Sequence, residues 1–344
     1  MDPLSQAVVG SALPASFSYK KYLRLAILCG ALGGMAPDLD VLIRSEVDTL
    51  LALEYHRHFT HSILMSPIVG LIVAFALWVV FSRVKKEFLL FYIFTTLGVA
   101  THGALDTCTA YGTYLLWPLT EERYTWMNMS IIDPLFTFPI LILLAIATIW
   151  KKQKIALLSL IYGLAYIGFS QYNLSLVQGR VIYEAQNRGH KVERMFFNPT
   201  IGNNIVWRTV YEANGRYYVD GVRSIPFKTM QFFEGVNVEK INAAEIYPSL
   251  GENTQQRQDI LRFNKFALGF LYEHQPHILA DLRYGLLVNS ADPLWGIKVN
   301  ITKPNMHVER FVNRGDRRKA LNEIKSLVFY GTSKSNQNHK VGEL

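Results

Sequence analysis

The sequence predicts a multi-pass helical membrane domain of four to six apolar helices, followed by a soluble mixed α/β domain. Two observations carry this. Residues 1–174 contain 12 basic and 11 acidic residues, whereas residues 175–344 contain 23 and 16, so the formal charge of +8 lies almost wholly in the second half. The first half also holds three apolar runs, Ser62–Phe81, Phe88–Leu105 and Ile131–Trp150, each within the roughly 17–25 residues a helix needs to cross a bilayer. A single water-soluble globule, a disordered chain and a disulfide scaffold are excluded, the last because Cys29 and Cys108 are the only cysteines.

Taken in order, Leu4–Phe17 and Leu25–Ala36 are short for spans and read as a hairpin of half-length or tilted helices. Their small residues Gly30, Ala31, Gly33 and Gly34 suit close packing. The three long runs follow, and Ile155–Tyr172 is a weaker fourth without charge. No cleaved signal peptide is expected, because Asp2 is acidic and Lys20 and Lys21 follow the first apolar stretch. Short-loop charge sets the orientation. One set of connections carries Lys20, Lys21, Arg24, Arg83, Lys85, Lys86, Lys151, Lys152 and Lys154; the other carries only Arg44, Arg57 and Arg123. The first set is placed in the cytoplasm, and everything after Tyr172 then faces outward.

Residues 175–344 read as an extracytoplasmic domain. Val206–Tyr211 and Tyr217–Ile225 flank Asn214-Gly215, a hairpin turn signal. Gln255–Tyr272 has helical apolar spacing, Ile278 to Val288 alternates as a half-buried strand does, and Arg317–Tyr330 reads as a last helix stopped by Gly331. From Thr332 the tail is polar and expected to be disordered. Basic residues are scattered in this half, so nucleic acid is not an expected partner; the lipid bilayer is. The sequence leaves the oligomeric state open.

Ionisable residues gather at one end of the spans: Pro37-Asp38-Leu39-Asp40, His56-Arg57-His58-Phe59-Thr60-His61-Ser62, His102 to Asp106, and Ile132-Asp133-Pro134. His102 and Asp106 are spaced i, i+4 and share a helical face. Asp38 and Asp40 follow a helix-ending proline. His56 and His61 straddle the entry to a helix, with Thr60 or Ser62 as its cap. A carboxylate at a span centre costs about 2.5–3.5 kcal/mol, so such groups persist when they satisfy one another or bind a cation. Mixed His and Asp donors suit Zn, Mn or Fe. A hydrogen-bonded HxxxD pair and a PDxD loop are each common without metal; four such elements at one membrane face point to a metal site.

In this order PDLD, HRHFTHS, HGALD with Thr109–Pro118, and Ser130–Leu135 resemble the YdjM-type membrane-bound, metal-dependent hydrolases of the bacterial inner membrane. The resemblance covers roughly residues 1–172. It implies that Asp38, Asp40, His56, His61, His102 and Asp106 are metal ligands, with Asp133 as a further candidate. By its likeness to zinc-dependent phospholipases C it also implies phosphoester hydrolysis. The sequence departs from the pattern at Gln6, where many members have His, and at His58, where many have Gly.

Such a site would take one or two divalent ions, zinc first, with Mn, Fe or Mg as alternatives. Asp38 or Asp106 is a candidate general base and Arg57 a candidate clamp for phosphate oxygens. The location favours an amphiphilic or lipid-linked substrate. The alternative is a non-catalytic membrane protein whose cluster binds a structural or transported metal. HExxH, GxSxG, GxxxxGK[ST] and GxGxxG motifs are absent.

Overall fold

The protein is represented by a computed structural model that describes residues 1–81, 87–313 and 315–331. The basic residues Arg83, Lys85 and Lys86 and the tail from Thr332 lie outside the described residues. The chain forms two compact units: Met1–Ile43 with Tyr55–Tyr172 and Ile201–Asn203, and Arg44–Glu54 with Asn173–Thr200 and Asn204–Leu344.

Among the described residues, seven α-helices precede the first strand: α1 Pro3–Phe17, α2 Leu23–Met35, α3 Leu51–Tyr55, α4 Ser66–Val80, α5 Phe88–Thr107, α6 Pro134–Trp150 and α7 Gln153–Asn187. Among the described residues three helical stretches are long and apolar enough to cross a membrane: Lys20–Leu42, Phe88–Thr107 and Gln153–Asn187. A fourth exists if Leu51–His61 and Ser66–Val80, bent by 86°, count as one. The expected four to six spans therefore reduce to three or four. α6, an apolar helix of 17 residues, stands at the lower edge of the length a span needs. Leu25–Ala36 gains length because 3-10 turns at Lys20–Tyr22 and Ala36–Leu42 extend α2 at both ends.

Glycine lets α1 and α2 touch backbone to backbone. A methyl group on Gly30 would lie 2.3 Å from the Gly10 carbonyl oxygen, and one on Gly34 2.5 Å from that of Gln6. α5 joins the same contact, since a methyl on Gly98 would meet the Gly30 carbonyl at 2.4 Å. Without apolar solvent contrast between helices in lipid, this close approach supplies the packing energy. It also brings the C-terminal end of α2 against α5; the 3-10 turn that follows α2 carries Asp38 and Asp40, and α5 carries His102 and Asp106. The expected cap of α4 by Thr60 or Ser62 is not made. α4 starts later, at Ser66, with Pro67 in its first turn. Ser62 Oγ instead donates to the carbonyls of Leu115 (3.2 Å) and Trp117 (2.5 Å).

Among the described residues, the second unit combines helices with two antiparallel sheets. The first has the order β1 Arg194–Pro199, β2 Val206–Ala213, β3 Arg216–Arg223 and β4 Gln231–Glu239. The second runs β5 Leu271–Gln275, β6 Ile278–Asp281, β7 Trp295–Lys298 and β8 Glu309–Val312. Asn214 and Gly215 turn β2 into β3 with φ values of 53° and 70°, the pair of positive angles that a two-residue hairpin turn needs. The strand expected over 278–288 ends at Asp281, whose carboxylate receives Arg283 at 2.8–2.9 Å and turns the chain. Helices α8 Gln255–Phe266 and α9 Arg317–Tyr330 complete the unit, the latter stopped by Gly331 at φ 70°.

Candidate metal centre

Four of the ionisable side chains converge on one point in the first unit. The 3-10 turn after α2 supplies Asp38, the short 3-10 turn Phe59–His61 supplies His61, and one face of α5 supplies His102 and Asp106. His61 Nε2 lies 3.4 Å from Asp38 Oδ1 and 3.3 Å from Asp106 Oδ2; His102 Nε2 lies 3.5 Å from each of the same oxygens. A regular tetrahedron with edges of that length has its corners about 2.1 Å from its centre, the distance at which zinc binds imidazole nitrogen and carboxylate oxygen. The four residues thus form a possible metal-binding site.

The donor atoms fit a cation. His61 Nε2, His102 Nε2 and Asp106 Oδ2 are buried and have no hydrogen-bond partner among the described residues. Orphaned polar atoms of this kind are costly, and three aimed at one centre are what a bound ion would satisfy. Asp38 differs from the rest: its side chain is 24% exposed, whereas those of His61, His102 and Asp106 are fully buried.

A surrounding layer fixes each donor. His102 Nδ1 lies 2.5 Å from the Gly34 carbonyl oxygen. A carbonyl only accepts, so Nδ1 carries the proton and Nε2 presents its lone pair to the centre. His61 Nδ1 lies 3.3 Å from Asp40 Oδ2, a carboxylate–histidine pairing that orients metal-binding imidazoles. Asp40 is otherwise fully engaged: it accepts from the Arg57 amide (2.9 Å) and the Thr60 hydroxyl (3.1 Å), and it meets His56 Nδ1 at 2.8 Å. Asp106 is held from behind by the Met1 ammonium and by Gln6 Nε2 at 3.0 Å, both on Oδ1, while Arg57 Nε lies 3.2 Å from Oδ2. Arg57 reaches there because its backbone adopts φ 64°, unusual for a side-chain-bearing residue. Its Nη1 donates to Thr109 at 2.8 Å and its guanidinium lies 4.7 Å from the centre of the Tyr111 ring. Gly103 lets α5 approach this turn: a methyl there would lie 1.9 Å from the His61 carbonyl oxygen.

The structure therefore brings together Asp38, His61, His102 and Asp106. It sets Asp40 and His56 in the next layer, and Arg57 against Asp106. Asp133 is not gathered in. It caps α6, accepting from the amides of Leu135 (3.1 Å) and Phe136 (3.4 Å), and takes the Tyr166 hydroxyl at 2.7 Å. In the sequence Thr60 reads as a helix cap, Thr109 as part of a motif and Gly34 as a packing residue, and nothing in their spacing marks their contacts around the centre.

A family model described as YdjM inner membrane protein matches residues 1–177, just over half of the chain. The chain belongs to this YdjM family. It is accordingly an inner-membrane protein whose apolar helices contact lipid. It is also similar to YfhP, an uncharacterized protein of Bacillus subtilis (strain 168), at 25% identity over 230 residues, covering 64% of this chain and 67% of the relative. No solved structure matches. The matched region contains all four converging residues, so the cluster lies within the part of the chain that defines YdjM membership.

A second group of acidic and histidine side chains lies in the second unit: Asp48, Asp259 and His307. Here Arg262 of α8 occupies the carboxylates, donating to Asp48 (2.8 and 3.2 Å), Asp259 (2.8 Å) and Glu54 (2.7 and 2.8 Å). The Glu54 hydrogen bond is the leading cause that raises the Arg262 guanidinium above its ordinary value. Burial pushes the Asp48 carboxyl up, but the Arg262 hydrogen bonds outweigh it and hold it below the usual carboxylate range.

Proposed function

We propose that this protein is a membrane-bound metal-dependent hydrolase in which His61, His102 and Asp106 hold one divalent ion, zinc in the first instance. Asp38 stands at the open side of the site. The carrying observation is the contrast in exposure: three donors are sealed, and the fourth, Asp38, is reached by solvent. Two histidines and a carboxylate with one position left for exchange is the arrangement of hydrolytic zinc sites. Bound there, a divalent ion supplies Lewis acidity towards water and a phosphoryl oxygen.

The chain's own residues supply the rest. His102 is fixed as the Nδ1–H tautomer by Gly34, and His61 is oriented by Asp40. Arg57 keeps Asp106 paired with a cation and therefore ionised. Asp38 receives a proton from the attacking water at its carboxylate. We assign the substrate to phosphoesters of amphiphilic or lipid-linked molecules, because the site lies at the ends of apolar helices. The excess of basic residues in the opposite loops supports a periplasmic position for that end.

A specific observation favours the non-catalytic alternative as well. Asp38 Oδ1 sits at the same 3.4–3.5 Å from both imidazoles as Asp106 does, which would close a four-donor shell, and closed shells are structural. Asp38→Asn separates the two. For the hydrolase, detergent-purified variant protein keeps about one equivalent of metal and loses metal-dependent cleavage of a phosphodiester lipid. A variant that loses the metal, beside a wild type that cleaves no phosphoester, establishes the closed site.

A further inference from the structure

The chain between the two acidic and histidine motifs, residues 44–54, packs with the second unit, although the residues on both sides of it belong to the first. Three of its side chains are tied down. Asp48 and Glu54 each receive two N–H groups of Arg262, and the Thr49 hydroxyl donates to the Val308 carbonyl at 2.7 Å. Arg262 spends its remaining bond on Asp259, its neighbour on α8. Asp259 is itself anchored by the Val308 amide (3.0 Å), Gln255 Nε2 (3.0 Å) and His307 Nδ1 (2.9 Å). A guanidinium held in two paired forks cannot swivel without breaking several charge-assisted hydrogen bonds together.

The tied residues are close in sequence to the metal centre. Glu54 is two residues before His56, which meets Asp40, and Asp48 is eight residues after Asp40. Asp40 in turn orients His61. We infer that Arg262 is a positioning residue for the metal centre: by fixing both ends of segment 48–54 it sets where Asp40 and His56 stand, and through them the His61 imidazole. Arg262 would thereby affect metal affinity without being a ligand. This rests on the reading that the cluster binds a divalent ion, but not on any hydrolytic activity.

The test uses full-length protein in detergent and reads two quantities. Amide hydrogen exchange of the metal-free protein is compared between wild type and Arg262→Ala, and zinc affinity is measured by competition with a chelating dye. Faster exchange is expected through His56–His61 as well as 44–54, together with roughly tenfold weaker zinc binding, the low end for residues that orient ligands. Glu54→Gln and Asp48→Asn each remove one fork. They should give smaller shifts in the same direction, which keeps the test decisive if Arg262→Ala fails to fold. Exchange changes confined to residues 44–54, or zinc affinity within twofold of wild type, would overturn the inference. A wild type that binds no zinc overturns the metal reading itself, and the exchange pattern would distinguish that failure from this one.

Discussion

The two groups of acidic and histidine side chains use the same ingredients to opposite ends. In the first unit, His61, His102 and Asp106 turn buried nitrogen and oxygen atoms without a hydrogen-bond partner towards one point, with the Met1 ammonium on Asp106 Oδ1 and Arg57 Nε 3.2 Å from Asp106 Oδ2. In the second unit, Asp48 and Asp259 meet a guanidinium that answers their charge directly, and His307 pairs with Asp259. The difference teaches that residue type and proximity do not make a metal site. What decides is whether the donor atoms are already spoken for. An arginine that spends its N–H groups on every carboxylate turns the second group into a fastening; in the first, two imidazole nitrogens are left without a hydrogen-bond partner.

The largest effect should come from removing a donor on each side of this comparison. His102→Ala is expected to abolish bound metal in protein purified with zinc supplied, while His307→Ala retains wild-type stoichiometry. Elemental analysis of the two proteins reads the outcome directly, and equal losses in both would erase the distinction. A smaller effect is expected one layer out. Asp40→Ala leaves all four donors in place but frees the His61 ring, and should weaken zinc binding by about 10–100-fold, measured by dye competition. An unchanged affinity would mean that Asp40 only fastens the His56 loop.

The smallest effect concerns acid. Asp48 is held below its ordinary value in the folded chain, so the unfolded state binds its proton more readily. Its contribution to stability is complete above about pH 4, the unfolded carboxylate range, and disappears as pH falls through the lower folded value. The groups that face Asp48 are Arg262, Asp259, Glu54 and His307. Acidification below pH 4 should therefore loosen segment 44–54 in wild type, and Asp48→Asn should remove part of that acid dependence. Thermal melts of both proteins against pH check this.

Much of the centre was legible in the sequence. The i, i+4 spacing of His102 and Asp106 requires only a helix to place both on one face, and α5 provides it. What spacing could not assign was role. Asp38 and Asp40 are two residues apart on a tight 3-10 turn, so they point in different directions, one to the centre and one to His61 and His56. Asp133 carried a readable signal that was outweighed by its neighbours: Asp-Pro before an apolar run is a helix start, and capping is what it does. The pairing of Gln6 with Asp106 spans 100 residues and that of Asp48 with Arg262 spans 214; no local pattern announces contacts of that reach. The span candidates shifted for a related reason, since the 3-10 turns at Lys20–Tyr22 and Ala36–Leu42 lengthen α2 into a stretch that can cross a membrane.

Gly34 performs two unrelated services. It has no side chain, so α1 can lie against α2, and its carbonyl receives the Nδ1 proton of His102. A residue with such a double duty ties the architecture of the bundle to the electronic state of an imidazole. Any remodelling of the α1–α2 crossing, by drift or by an engineer, would alter which nitrogen of His102 is basic. The tautomer of His102 and the spacing of the helices therefore cannot be tuned separately.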